Sequence, residues 1–129
     1  MNNLKILIAE DEAIVALEIT TRLKLMGHNV CGTASSGEKA ILLAGQTHPH
    51  LVLMDIKLKG EMDGIEAAEI IKEKFSIPSI FLTALSDEST LRQIKKTSNK
   101  EILMKPFQEI DLKNSIEKLI NISNLKQSE

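Results

Sequence analysis

The chain has 129 residues, the length of one ordinary domain. Hydrophobic residues make up 43% of it, but its aromatic residues are three Phe with no Tyr and no Trp, which disfavours functions that stack nucleic-acid bases on aromatic rings. The net charge of −2 argues against a main role in binding polyanions, so no nucleic-acid partner is expected.

Short apolar runs alternate with longer amphipathic segments from the start of the chain. Residues 4–9 form the first predicted strand, and apolar residues then recur at three- and four-residue steps over residues 16–26, which predicts a helix. Residues 29–34 form the second predicted strand. After it, Ser35 and Glu38 have the spacing of a capping box and predict the start of a second helix.

The alternation continues through the middle of the chain. Residues 51–54 and 79–83 are apolar enough for strands that are buried on both faces. Between them, a helical pattern over residues 64–75 ends before Pro78. This stretch therefore predicts the third strand, the third helix and the fourth strand.

The last third of the chain completes the pattern. A fourth helix is predicted after Ser86; its large apolar residues are Leu91 and Ile94, so it should be weakly anchored and mostly solvated. Residues 101–104 form the fifth predicted strand. A fifth helix follows, in which apolar residues recur at helical steps over residues 112–119.

Five strands that alternate with five helices indicate a parallel sheet with helices on both faces. The connections are too short for a second domain, so residues 1–122 are predicted to form one domain and residues 123–129 a disordered tail or the start of a linker. The first acidic residues follow only five apolar-rich positions, and no stretch approaches 18 apolar residues. A cytoplasmic protein without membrane contact is expected, with Cys31 as a small buried residue.

Polar side chains directly follow the predicted strands. The carboxyl ends of parallel strands lie at one edge of the sheet, where ligands of such folds bind. The residues at this edge are Glu10, Asp11 and Glu12 after the first strand, Asp55 after the third, Thr83 at the end of the fourth, and Lys105 after the fifth. Their convergence predicts the functional site.

Carboxylates dominate one part of this edge. Glu10, Asp11 and Asp55 come close together if the first and third strands are neighbours, and a cation would relieve their repulsion. A few acidic oxygen ligands suit Mg²⁺, or Mn²⁺, which shares its coordination shell with water and phosphate. The alternative for the acidic run at residues 10–12 is a helix N-terminus, and Glu12 is expected in the first turn of the first helix.

An Asp carboxylate can also act as a nucleophile that accepts a phosphoryl group. The transfer needs a cation, an ammonium group and a hydroxyl donor around the phosphoryl oxygens. Asp55, Lys105 and Thr83 have the chemistry for the nucleophile, the ammonium and the hydroxyl. Each residue alone has an ordinary alternative, since Lys105 could be a solvated surface residue and Thr83 a β-branched strand residue.

Four segments carry a resemblance to a known family. They are ILIAEDE, LVLMDIKLKGEMDGIE, IFLTA and LMKPF, in this order over about residues 4–120. Together they resemble the receiver domain of two-component response regulators, the family of the bacterial chemotaxis regulator. The resemblance implies a flavodoxin-like, doubly wound α/β fold with five parallel strands in the order 2-1-3-4-5.

The resemblance also implies a role for each site residue. Asp55 is expected to accept a phosphoryl group from a phosphohistidine on a sensor histidine kinase. The expected Mg²⁺ ligands are Asp11, Asp55 and the backbone carbonyl of Lys57, with Glu10 acting through a bound water. Thr83 matches the switch hydroxyl, and Lys105 matches the lysine that pairs with the acceptor carboxylate and then with the phosphoryl group; the Lys105–Pro106 peptide should be cis.

The resemblance to this family further implies a surface that binds a downstream partner. A downstream protein is expected on the face of the fourth helix, fifth strand and fifth helix, with a phosphorylation-dependent homodimer as an alternative. One position departs from the family, because Ile102 stands where many relatives have a Tyr or Phe that rotates with the switch threonine. Leu91 and Ile102 could serve a partner contact or plain core packing.

Two other readings compete with the signalling switch. A Mg²⁺-dependent phosphatase with an Asp nucleophile commonly has a second Asp two residues later, but this chain has Lys57 at that position. We therefore expect the protein to remove its own phosphoryl group slowly and not to act as an enzyme. A receiver fragment of a hybrid sensor kinase is the other alternative. Of the three histidines, His48 and His50 are expected in a surface loop and His28 in a turn.

Overall fold

The computed structural model describes residues 3–84, 88–96 and 101–128. In this part of the chain, strands and helices alternate throughout. They are β1 (Lys5–Ala9), α1 (Ala13–Leu25), β2 (Asn29–Ala34), α2 (Gly37–Thr47), β3 (Leu51–Asp55), α3 (Gly64–Phe75), β4 (Ser79–Ala84), α4 (Glu88–Lys95), β5 (Ile102–Lys105) and α5 (Glu109–Ser128). The predicted elements are all present, with ends that differ by a few residues.

All neighbouring strands are parallel, and the sheet has the order β2-β1-β3-β4-β5. The predicted doubly wound α/β fold is therefore confirmed. The first strand lies between β2 and β3, and β5 is an edge strand that pairs with β4.

The side chains of the strands alternate between two hydrophobic clusters, one on each face of the sheet. Ile6 and Ile8 belong to the cluster that contains apolar residues of α1 and α5. Leu7 and Ala9 belong to the cluster that contains apolar residues of α2, α3 and α4. The aliphatic core that the shortage of aromatic residues requires is thus divided between two layers of helices.

Helix α4 is held by few contacts, as its sequence predicts. Ile94 is fully buried, and Leu91 is partly buried beside it. Ile102 is also partly buried against the same cluster, so Leu91 and Ile102 both have a packing role. The predicted start of this helix at Ser86 lies outside the described residues.

The start of α2 corrects the predicted cap. Ser36, not Ser35, is the N-cap residue, and its hydroxyl accepts a hydrogen bond from the Lys39 backbone N–H at 3.2 Å. The carbonyl of Ser35 accepts from the backbone N–H of Lys59 at 3.2 Å. This contact between distant segments keeps Ser35 outside the helix, so the helix begins one residue later than the local pattern predicts.

One other local expectation, the burial of Cys31, changes. Cys31 is only partly buried, with its Sγ 3.3 Å from Thr47 Oγ1. His28 lies in the connection between α1 and β2 as expected, but it is only 6% exposed. The backbone of α5 is helical to Ser128. The predicted division of the chain after residue 122, with a disordered tail or the start of a linker beyond it, stays a prediction.

Among the described residues, none of the helices has the length and apolar composition needed to cross a membrane.

Candidate functional site

The carboxyl edge of the sheet brings the predicted site residues together. Glu10 follows β1, Asp55 is the last residue of β3, and Lys105 is the last residue of β5. In the strand register, Asp55 is opposite Leu82, so Thr83 lies one residue further along β4 than Asp55 does along β3. The sheet therefore places an acid, a hydroxyl and an ammonium group along one edge.

Lys105 connects two carboxylates. Its Nζ lies 2.9 Å from Glu10 Oε1 and 3.0 Å from Asp55 Oδ2. Burial disfavours the charged ammonium, but the hydrogen bonds and negative charges of Glu10 and Asp55 outweigh burial and raise the pKa of Lys105 above its ordinary value. The ammonium is therefore held in its charged form at the centre of the site.

Each of these carboxylates also accepts a backbone hydrogen bond. Glu10 Oε2 accepts from the N–H of Glu12 at 3.2 Å, and Asp55 Oδ1 accepts from the N–H of Lys57 at 3.2 Å. The Glu10 side chain is fully buried, whereas that of Asp55 is 12% exposed. Asp55 is thus the more accessible of the two carboxylates that Lys105 contacts.

The acidic residues form a cluster that fits a divalent cation. Glu10, Asp11 and Asp55 each offer a carboxylate oxygen, and these oxygens lie within 4.8 Å of one another. The donors are all oxygens, which Mg²⁺ prefers, and Asp11 is only partly buried, so water has access to the cluster. The side chain of Glu12 is exposed; Glu12 is the N-cap residue of α1, one position before the first turn that the sequence predicts.

A cleft of about 230 Å³ opens above these groups. It is lined by Asp11, Glu12, Asp55, Ile56, Lys57, Leu82, Thr83, Ala84 and Lys105. The Thr83 side chain is nearly buried, and its hydroxyl lies 3.5 Å from the carbonyl oxygen of Ala84, a long and weak contact. The hydroxyl can therefore turn toward a ligand in the cleft at little cost.

The backbone beside Asp55 depends on Gly64, a residue whose role the sequence pattern misses. The N–H of Gly64 donates to the carbonyl of Ile56 at 2.8 Å, and a Cβ at this position would overlap the carbonyl oxygen of Asp55. Only glycine allows α3 to start so close to the end of β3. The sequence placed Gly64 merely within a helical pattern, because the close approach depends on tertiary packing.

Most of the predicted arrangement is present. The structure brings together Glu10, Asp11, Asp55, Thr83 and Lys105, and the Lys105–Pro106 peptide is cis as expected. The backbone N–H of Lys57 donates a hydrogen bond to Asp55 Oδ1. The role of the Lys57 carbonyl as a metal ligand stays a prediction. His48 and His50 are exposed, as predicted.

Residues 6–117 match the family described as the response regulator receiver domain. The chain belongs to this receiver family. Its members are signalling regulators that are typically phosphorylated and typically bind Mg²⁺. The predicted family is thereby confirmed.

Curated relatives agree with the family. The receiver domain is 36% identical over 113 residues to the transcriptional regulatory protein PdtaR of Mycobacterium tuberculosis, a match that covers 88% of this chain and 55% of the relative. It is 31% identical over 105 residues to the phyllosphere-induced regulator PhyR of Methylorubrum extorquens, covering 81% of this chain and 39% of the relative. This chain spans about half the length of PdtaR.

Solved structures show the same fold. The receiver domain superposes on the signal receiver domain of a modulated diguanylate cyclase from Desulfovibrio desulfuricans with a TM-score of 0.90 and 31% identity, covering 97% of this chain and 99% of the other. For the response regulator PhyR from Brucella abortus, the TM-score is 0.85 and the identity 28%, over 97% of this chain and 51% of the other.

Proposed function

We propose that this receiver domain is a phosphorylation-controlled switch in which Asp55 accepts a phosphoryl group from a phosphohistidine on a sensor histidine kinase. A carboxylate oxygen of Asp55 attacks the phosphorus, the bond from phosphorus to the imidazole nitrogen breaks, and the electron pair of that bond leaves with the imidazole. The observation that carries the proposal is the Lys105 ammonium, 3.0 Å from Asp55 and facing a cleft that Thr83 also lines.

The acidic cluster supports a divalent cation in this reaction. Asp11, Asp55 and the carbonyl of Lys57 would hold Mg²⁺ or Mn²⁺ directly, and Glu10 would act through a water molecule. The Glu10 side chain is fully buried, whereas that of Asp55 is 12% exposed, which supports the indirect role of Glu10. When bound, the cation supplies positive charge opposite the phosphoryl oxygens.

Thr83 and Lys105 couple the phosphoryl group to the surface. The Thr83 hydroxyl exchanges its weak contact with Ala84 for a phosphoryl oxygen, and the Lys105 ammonium pairs with another phosphoryl oxygen. Thr83 lies on β4 and Lys105 on β5, and both strands contribute residues to the hydrophobic cluster that contains Ile94 of α4. A downstream protein, or a second copy of the domain, then recognises the face formed by α4, β5 and α5.

The location and limits of the activity follow from this role. Because a kinase phosphohistidine is formed from ATP, we place the domain in the cytoplasm. Lys57 occupies the position two residues after the nucleophile, so the domain removes its own phosphoryl group slowly and does not turn over other phosphate esters. We propose residues 1–122 as the domain unit, with residues 123–129 as a tail or the start of a linker.

Intact-mass measurement tests the acceptor. The protein is incubated with Mg²⁺ and a small phosphodonor, and the wild type should gain one phosphoryl group that Asp55→Asn does not gain. Glu61→Gln is the matched control, because this exposed carboxylate lies in the same loop and should leave the mass gain unchanged. A wild type without a mass gain, or an Asp55→Asn variant with one, would contradict the proposal.

A second measurement tests the cation and the output face. Asp11→Asn should need a higher Mg²⁺ concentration for the same mass gain. Amide NMR of the phosphorylated wild type should show its largest shifts in α4 and β5, and Thr83→Ala should accept the phosphoryl group with smaller shifts there. Equal amide shifts in the wild type and in Thr83→Ala would show that Thr83 does not couple the phosphoryl group to α4 and β5.

A further inference from the structure

The amino-terminal edge of the sheet, opposite the candidate site, contains two histidines that make the same kind of contact. His28 immediately precedes β2 and His50 immediately precedes β3, and these are the two strands that flank β1. The Nδ1 atom of His28 accepts a hydrogen bond from the backbone N–H of Leu4 at 3.3 Å, and that of His50 accepts from the N–H of Lys5 at 2.8 Å. The proposed switch uses neither imidazole.

Backbone bonds complete the attachment of β1 on both sides. The carbonyl of Leu4 accepts from the N–H of Asn29 at 2.8 Å, and the carbonyl of Lys5 accepts from the N–H of His50 at 2.7 Å. The two imidazoles therefore provide the acceptors for the two N–H groups at the start of β1. Leu4 is only 6% exposed, so loss of its acceptor would leave a buried donor unsatisfied.

These contacts require a particular protonation state. An imidazole nitrogen accepts a hydrogen bond only when it carries no proton, so both neutral rings have their proton on Nε2. A protonated imidazole is a donor at both nitrogens and would present an N–H to the backbone N–H. Burial lowers the pKa of His28, as does the positive charge of the chain's amino group, so the neutral and accepting form of His28 is favoured in the folded state.

Charged groups differ around the two rings. His28 faces a cleft of about 490 Å³ between α1 and α5, and the charged residues that line this cleft are Glu109, Lys113 and Glu117 of α5. Beside His50, the ammonium of Lys5 donates to the carbonyl of Thr47 at 3.0 Å, and His48 ends α2 two residues earlier. Each ring is thus accessible to protons, His28 through the cleft and His50 at the exposed surface.

We propose that His28 and His50 form an acid-sensitive latch that fastens the start of β1 to β2 and β3. Protonation of the rings removes both acceptors and releases the N–H groups of Leu4 and Lys5, while the rest of the parallel sheet remains paired. Because Glu10 and Asp11 directly follow the last residue of β1, the latch controls how firmly the strand that leads to these two acidic residues is held at its other end.

NMR on the full chain between pH 8 and pH 5 tests the latch in two ways. At pH 8, the ring ¹⁵N shifts of His28 and His50 should show the proton on Nε2. As the rings become protonated, the hydrogen-exchange protection factors of the Leu4 and Lys5 amides should fall by about tenfold, the effect expected for the loss of one hydrogen bond. The Val52 amide, which donates to Pro78, should keep its protection factor and serves as the internal reference.

Three variants separate the latch from a general effect of acid. In the double variant His28→Asn with His50→Asn, the side-chain oxygen of Asn replaces Nδ1 as an acceptor that does not titrate, so the protection factors should no longer depend on pH. His48→Asn should keep the wild-type response, because His48 is exposed and its left-handed backbone conformation suits Asn. The Asp55→Asn variant should also respond like the wild type, which distinguishes the latch from phosphorylation.

Several results would overturn the proposal. Wild-type rings with the proton on Nδ1 at pH 8 would exclude the acceptor role, and this measurement needs no variant to fold. Leu4 and Lys5 amides that stay protected after ring protonation would show that the bonds do not fasten the strand. A double Asn variant that retains the full pH response would assign the response to other groups.

Discussion

Replacing Lys105 with Met removes the ammonium group between Glu10 and Asp55 and keeps an unbranched side chain of similar length. The variant leaves two carboxylates close together without the cation that lies 2.9 Å from one and 3.0 Å from the other. At pH 8 and without divalent ions, either both carboxylates stay charged and repel each other, or one of them binds a proton at a pH where carboxyl groups are ordinarily ionised. Either outcome lowers the free energy of unfolding.

The exposure of the three side chains sets the size of this effect. Removing one partner of a fully buried ion pair costs about 3–5 kcal/mol. The Glu10 side chain is fully buried, but those of Lys105 and Asp55 are 29% and 12% exposed, so water screens part of the repulsion. We expect Lys105→Met to lower the free energy of unfolding by about 2–3 kcal/mol.

Urea unfolding followed by far-UV circular dichroism measures the difference, since the chain has no Trp for fluorescence. With a slope of about 1–3 kcal/mol per M, the midpoint of Lys105→Met in chelator should fall by about 1 M. Added Mg²⁺ should narrow the gap, because a cation bound at the acidic cluster compensates the missing ammonium. Lys113→Met, which removes an exposed lysine of α5, should stay within about 0.5 kcal/mol of the wild type. Equal midpoints of Lys105→Met and the wild type in chelator would refute the reasoning.

Three further predictions follow from contacts described above. The folded-state pKa of Lys105 lies above its ordinary value of 10.5, so the stability that this group contributes is fully present below pH 10.5. Urea midpoints of the wild type should therefore fall as the pH rises through the raised pKa, and Lys105→Met should lack this loss. Gly64→Ala should lower the free energy of unfolding by about 1–3 kcal/mol, because its new methyl group would overlap the carbonyl of Asp55. Thermal melts measure the difference, and an unchanged melting temperature would contradict the close approach of Gly64 to the Asp55 backbone. Ser36→Ala should lower the free energy of unfolding by about 1 kcal/mol through loss of the α2 cap, whereas Ser35→Ala should have little effect. A larger loss for Ser35→Ala than for Ser36→Ala would show that Ser35 is the cap, as the local pattern predicts.

The sequence predicted the fold well because each element has a local signal. Apolar runs such as residues 51–54 have the composition of strands buried on both faces, and the alternation with amphipathic segments requires a parallel sheet. The convergence of Asp55, Thr83 and Lys105 follows from the same alternation, since each comes at the carboxyl end of a strand. The strand order came from the family resemblance, because periodicity does not determine which strands pair.

Features that depend on distant contacts could not be predicted from local patterns. The cap at Ser36 is decided by the contact between Ser35 and Lys59, which are far apart in the chain. The hydrogen bond between Leu4 and His28 joins residues that lie 24 positions apart in the chain. The contact between Lys105 and Glu10 spans 95 residues, and no spacing rule indicates that one ammonium group reaches two carboxylates.

The contacts of Lys105 with Glu10 and Asp55 link strands that are not neighbours in the sheet. Lys105 belongs to the edge strand β5, which in the described part of the chain pairs with β4 alone. Its side chain nevertheless reaches Asp55, at the end of β3, and Glu10, the residue that directly follows β1. Lys105 thus connects the edge strand to the ends of two strands, β1 and β3, with which its backbone does not pair. We therefore expect a change in the charge of Asp55 to change the electrostatic force on a side chain of the edge strand, without any intermediate residue.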